Sequence, residues 1–99
     1  MDRILIAIVL TALCASTQTA SAIDVPPPGA TSCSGCHAMR RSAGTPVTRL
    51  VARNPADILT AMQEFRAGKR PATVMDRIAK GFTDDEVKAI AAWYAAQKE

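Results

Sequence analysis

The sequence predicts an all-α fold, and three observations lead to this prediction. Apolar residues recur at spacings of three and four within residues 54–68 and again within 83–97, as on one face of a helix. Both segments begin with residues typical of a helix N-terminus. No segment alternates apolar and polar residues for long enough to indicate a strand.

The N-terminus has the pattern of a secretory signal peptide. A charged start, residues 1–3, precedes an apolar run of about 11 residues, too short for the roughly 20 that span a bilayer. Small residues follow at Ala20 and Ala22, where a signal peptidase cleaves. We therefore expect a periplasmic mature chain that begins at Ile23 and has no stable membrane span; an uncleaved N-terminal anchor is the alternative.

The predicted organisation is a signal peptide over 1–22, a Pro-rich lead-in over 23–29 and one domain over 30–99. Such a small domain commonly needs a disulfide, a metal or another covalent staple. After cleavage the chain keeps two cysteines, Cys33 and Cys36. A disulfide between them would close a very short loop and add little stability.

The first helix is expected to be capped by Thr31 or Ser32 and to run to about Arg41. The proline-rich segment before it cannot be helical throughout, and residues 42–46 have turn composition.

Two longer helices and one short one follow. Asn54 and Pro55 predict the start of the second helix, and Gly68 its end. A short helical segment is expected from Met75 to Lys80. Thr83-Asp84-Asp85-Glu86 is a capping box that starts the last helix, which should end near Gln97. The predicted apolar faces are Ile58, Leu59, Met62 and Phe65 in one helix and Val87, Ile90, Ala91 and Tyr94 in the last.

The segment Cys33-Ser34-Gly35-Cys36-His37 carries the candidate chemistry, because it holds both remaining cysteines and the chain's single histidine. A redox dithiol of the thioredoxin type would follow a strand, and none is predicted. A structural zinc ion needs about four ligands, and this segment supplies three. Covalent attachment of one haem c explains all three residues, with thioethers from both cysteines and an axial bond from His37.

With this C-x-x-C-H motif, the chain resembles the class I monohaem cytochromes c. The resemblance covers residues 30–97 and includes Gly44-Thr45-Pro46, a downstream Met in a loop, and aromatic residues at Trp93 and Tyr94. It implies that the backbone carbonyl of Pro46 accepts a hydrogen bond from the axial histidine.

A longer stretch, KRPATVMDRIAKGFTDDEVKAIAAWYAAQK, looks like the end of the haem domain in the cytochrome subunit of flavocytochrome c sulfide dehydrogenases. This resemblance implies that Met75 is the distal iron ligand. The residues themselves leave a core-packing role for Met75 open, whereas Met39 lies too close to His37 to reach the opposite face of a haem. Met62 lies on an apolar helix face, where packing is the simpler explanation.

A haem with both axial positions filled by protein passes electrons and has no open site for a substrate. We therefore expect an electron carrier and not an enzyme in its own right, with redox proteins and no nucleic acid as partners, among them a sulfide-oxidising flavoprotein. The alternative is a haem-based sensor or ligand-binding protein with a labile distal Met. Basic residues form either a solvated surface or one that attracts an acidic redox partner: Arg40, Arg41, Arg49, Arg53, Arg66, Lys69, Arg70, Arg77 and Lys80.

Overall fold

The protein folds into short and medium-length helices joined by turns. The computed structural model describes residues 25–40 and 44–98, and the predicted signal peptide lies outside them. These ranges contain four helices and no strand, which confirms the all-α prediction: α1 (Ala30–Cys33), α2 (Pro55–Arg66), α3 (Met75–Ala79) and α4 (Asp84–Ala96). Within the same ranges, no helix has the length and apolar character needed to cross a membrane.

Helix α1 differs from its prediction at both ends. Gly29, and neither Thr31 nor Ser32, occupies the N-cap, and the helix ends at Cys33 well before Arg41, which lies outside the described residues. The chain continues in turns. Gly29 has a φ of +88°, and a Cβ atom built there would lie 2.7 Å from Cε1 of Phe82, so both the backbone angle and the close ring favour glycine.

Helices α2 and α4 begin as their cap residues predict. The Asn54 side chain accepts a hydrogen bond of 2.9 Å from the backbone N–H of Ala56. Thr83 Oγ1 accepts from the Glu86 N–H at 3.2 Å, while Glu86 Oε2 accepts from the Thr83 N–H at 2.9 Å. Each bond satisfies a backbone donor that a helix N-terminus leaves unpaired. The predicted capping box is therefore confirmed.

The interior consists of two adjoining apolar clusters, with helix α4 contributing to both. The partly buried side chains of Leu50 and Phe82 pack against both clusters, and all four predicted apolar residues of α4 are buried. The first cluster contains Ala30, Val51, Ile90 and Tyr94, and the second contains Ile58, Val87 and Ala91. Since Ala30 belongs to α1, the first cluster places the cysteine segment against α4.

Candidate functional site

The two candidate attachment residues lie at the end of α1 and in the turn after it. Cys33 is half-buried, and its Sγ–H donates to the Gly29 carbonyl at 3.4 Å. Cys36 is exposed, and both cysteines are free thiols in this structure. The backbone N–H groups of Cys36 and His37 both donate to the Cys33 carbonyl, so a tight turn holds the three residues in a fixed local arrangement.

This arrangement does not favour the two other chemistries considered for the motif. Burial raises the pKa of the Cys33 thiol, partly offset by its backbone hydrogen bond, whereas the nucleophilic cysteine of a redox dithiol has a lowered pKa. In residues 25–40 and 44–98, no three side chains of His, Cys, Asp or Glu come together as a metal site.

The imidazole of His37 is fixed by a backbone carbonyl. Its Nδ1 lies 2.5 Å from the carbonyl oxygen of Thr48. Because a carbonyl can only accept a hydrogen bond, Nδ1 carries a proton, and in the neutral imidazole Nε2 then keeps its lone pair. A hydrogen bond from one ring nitrogen to a backbone carbonyl is typical of histidines that ligate a metal through the other ring nitrogen. The resemblance assigned this acceptor to Pro46, and that assignment is wrong in this structure.

The path of the loop explains why the acceptor is Thr48. Gly44 has a φ of +82°, and the Val47 N–H donates to Thr45 Oγ1 at 3.3 Å across Pro46, so the chain turns in the segment around this proline. The carbonyl that faces the imidazole therefore comes two residues after the proline. No motif in the sequence identifies Thr48, because its role depends on the path of the loop.

The three methionines of the described chain have different surroundings. Met39 packs against the first apolar cluster and Met62 against the second, as expected of interior side chains. Met75 is half-buried, belongs to neither cluster and is the first residue of α3. It is therefore the methionine that the packing of the described residues leaves available for another role.

Exposed apolar side chains accompany the candidate ligands in the sequence. Val74 and Ile78, on either side of Met75, are 51% and 43% exposed, and Val47, next to Thr48, is 37% exposed. Large apolar side chains of this kind favour a bound apolar surface over water. The thiols and the free Nε2 of His37 have the chemistry that a covalently attached haem needs, and these apolar side chains would suit contact with its ring.

The indole Nε1 of Trp93 and Oδ1 of Asp76 are buried and have no hydrogen-bond partner among the described residues. An unpaired buried donor costs about 1–3 kcal/mol. The Trp93 ring packs against the cluster that Cys33 also contacts. The carboxylates of a haem are one kind of acceptor that would satisfy this donor.

A small helical domain with these thiols, this fixed histidine and a methionine outside the core has the features of a c-type cytochrome. The chain is similar to the cytochrome subunit of sulfide dehydrogenase from Chlorobaculum tepidum, with 36% identity over 63 residues. The match covers 64% of this chain, and the chain spans 57% of the relative's length. No family model matches, and no solved structure matches. The similarity supports the resemblance recognised in the sequence.

Proposed function

We propose that this chain is a monohaem c-type cytochrome that carries single electrons. The observation that carries the proposal is the C-x-x-C-H turn, in which Thr48 fixes the His37 ring and leaves Nε2 free for iron. Cys33 and Cys36 would hold the haem by thioethers, and Met75 would supply the second axial ligand. The bound haem supplies a ferric–ferrous couple.

The residues of the chain have three tasks in this function. Thr48 orients the imidazole, so that His37 needs little rearrangement on oxidation or reduction. The thioether of Met75 would favour the ferrous state and so raise the reduction potential. The apolar residues Val47, Val74 and Ile78 would exclude water from the haem. With His37 and Met75 both holding the iron, the site would transfer electrons and would have no open position for a substrate.

We also propose that the mature protein lies in the periplasm and serves a sulfide-oxidising flavoprotein as its haem subunit or electron acceptor. The signal-peptide pattern supports the location, and the relative is a subunit of sulfide dehydrogenase. The formal net charge of +3 and exposed basic residues such as Arg77 and Lys80 would attract an acidic partner.

Isolation from the periplasmic fraction of the source cells tests both location and partner. The purified protein should begin at or next to Ile23 and should co-purify with a flavin-containing chain at low salt. A mass that still includes residues 1–22 would exclude the cleavage, while a protein that transfers electrons but never binds a flavoprotein would be a free carrier.

Covalent attachment predicts that acid-acetone does not extract the haem and that the denatured mature protein has no free thiol. The double variant Cys33→Ala/Cys36→Ala should lose the haem under the same extraction, because only the axial bonds would then hold it. Cys14→Ala is the matched control, since Cys14 would be removed with the signal peptide. Extraction of haem from the unaltered protein would contradict the c-type assignment.

A further inference from the structure

The guanidinium of Arg66 connects α2 to the chain on both sides of the turn between α3 and α4. Nη2 donates to the Phe82 carbonyl at 2.8 Å, and Nη1 donates to Asp84 Oδ1 at 2.8 Å. Nε donates to the carbonyl of Ala79, the last residue of α3, at 3.4 Å. A single half-buried side chain therefore satisfies acceptors from the end of α3 to the start of α4.

Helix α3 depends on such contacts for its position. It has five residues, and no side chain caps its N-terminus; a helix this short is not stable in isolation. Among the helices of the described ranges, α3 packs against α2 and makes no comparable contact with α1 or α4. Its orientation therefore depends on its packing against α2, on the fully buried Ala79 and on the hydrogen bond from Arg66 to the Ala79 carbonyl.

The Asp84 carboxylate, which accepts one of these hydrogen bonds, is held by a second residue of α2 as well. Gln63, one turn before Arg66 on α2, donates from Nε2 to Asp84 Oδ2 at 2.9 Å. The hydrogen bonds from Arg66 and Gln63 lower the pKa of Asp84, so the carboxylate stays ionised at neutral pH. Both carboxylate oxygens thus bind α2, and the start of α4 is held in register with the end of α3.

We infer that Arg66 is the residue that positions Met75 as an iron ligand. The inference rests on the proposed function, because Met75 opens the same five-residue helix whose last carbonyl Arg66 binds. Arg66 contacts no part of the Met75 side chain in any described interaction and acts through the backbone of α3. Loss of its hydrogen bonds should let α3 move away while α2 and α4 remain packed, so that the sulfur leaves the iron more often.

A second arginine offers a matched control. Arg70 pairs with Glu64, with 2.6 Å between Nη2 and Oε2, and its guanidinium lies over the Phe65 ring at 5.6 Å from the centroid. This pair joins α2 to the residues that directly follow it and reaches neither Ala79 nor Phe82. Arg70→Gln therefore removes a similar charge and ion pair without touching the end of α3.

The test measures imidazole binding to the ferric holoprotein, since imidazole must displace the distal ligand. Arg66→Gln should bind imidazole about tenfold more tightly, equivalent to about 1.4 kcal/mol, and should lose part of the sulfur-to-iron absorption. Arg70→Gln should stay within about twofold of the unaltered protein. All measurements are made in buffer where denaturant titration shows each variant to be folded.

If Arg66→Gln loses unfolding free energy but binds imidazole no more tightly than Arg70→Gln, Arg66 has only a structural role and the inference is wrong. If Arg66→Gln does not fold, Arg66→Lys decides the question. A lysine keeps the charge, but its single ammonium nitrogen cannot reproduce the three separate nitrogens with which Arg66 binds these acceptors, so an unchanged imidazole affinity would also overturn the inference. If the unaltered protein lacks the sulfur-to-iron absorption and Met75→Ala changes nothing, the proposed ligation itself has failed.

Discussion

Replacing Met75 by alanine should leave the haem attached but change the reduction potential, absorption and ligand binding of the iron. The thioethers to Cys33 and Cys36 do not depend on the sixth ligand, so the variant should resist acid-acetone extraction like the unaltered protein. The reduction potential should fall substantially, because the thioether no longer favours the ferrous state. The weak sulfur-to-iron absorption should vanish, and carbon monoxide should bind readily to the ferrous form.

Met62→Ala is the comparison that makes this result specific. Met62 packs against the second apolar cluster, so its truncation should lower the free energy of unfolding, by about 2 kcal/mol for a side chain that is only partly buried. The haem spectrum of the folded fraction should be unchanged. If Met62→Ala abolishes the sulfur-to-iron absorption and Met75→Ala does not, the ligand assignment is wrong.

The unaltered protein is itself informative. A ferrous form that binds carbon monoxide at neutral pH, together with a ferric form that lacks the sulfur-to-iron absorption, would indicate an open distal position. In that case the electron-carrier proposal would give way to the sensor alternative. Potentiometric titration and carbon monoxide difference spectra of the same sample distinguish the two outcomes.

The helices that could be predicted are those whose signals are local. Asn54 and Thr83 cap α2 and α4 through bonds to residues two or three positions away, so the sequence itself contains the information. The start of α1 has no such signal. Gly29 is favoured there by its φ of +88° and by the nearby ring of Phe82, which lies far from it in the sequence, and a sequence pattern cannot show that contact.

The same distinction applies to the site. The C-x-x-C-H motif predicts the attachment chemistry because all its parts lie in five consecutive residues. The role of Thr48 and the role inferred for Arg66 were not predicted, since each depends on a hydrogen bond that forms only after a loop or a second helix is in place. Supporting residues of this kind have no fixed spacing from the ligands, and geometry is needed to find them.

Tyr94→Ala should cause the largest loss of stability among single changes in the described core. The Tyr94 side chain is fully buried, and its hydroxyl donates to the carbonyl of Ala30 at 2.5 Å. The rings of Tyr94 and Trp93 also pack in an edge-to-face arrangement, with their centroids 4.9 Å apart. Truncation of a buried aromatic side chain costs about 3–5 kcal/mol, a large share of the about 5–15 kcal/mol of a typical domain.

Tyr94→Phe separates the hydroxyl from the ring. The phenylalanine keeps the packing but leaves the buried Ala30 carbonyl without its donor, which should cost about 1–3 kcal/mol. Burial raises the pKa of the Tyr94 hydroxyl, so the folded state favours the protonated form. The stability that the protonated hydroxyl contributes should be lost as the pH rises above about 10, the ordinary pKa of tyrosine. The difference in stability between the unaltered protein and Tyr94→Phe should therefore narrow at high pH.

Denaturant titration monitored by helical circular dichroism and by the haem absorption measures both variants. Lys88→Ala, on the exposed side of the same helix, is the control and should stay within about 0.5 kcal/mol, because its ion pair with Asp85 is long, at 3.8 Å, and solvent-exposed. Since Ala30 begins the helix that ends at Cys33, loss of the Tyr94 bond should also loosen the attachment segment. Equal stability of Tyr94→Phe and the unaltered protein would show that water or another donor replaces the hydroxyl, and that this bond does not anchor α1 to α4.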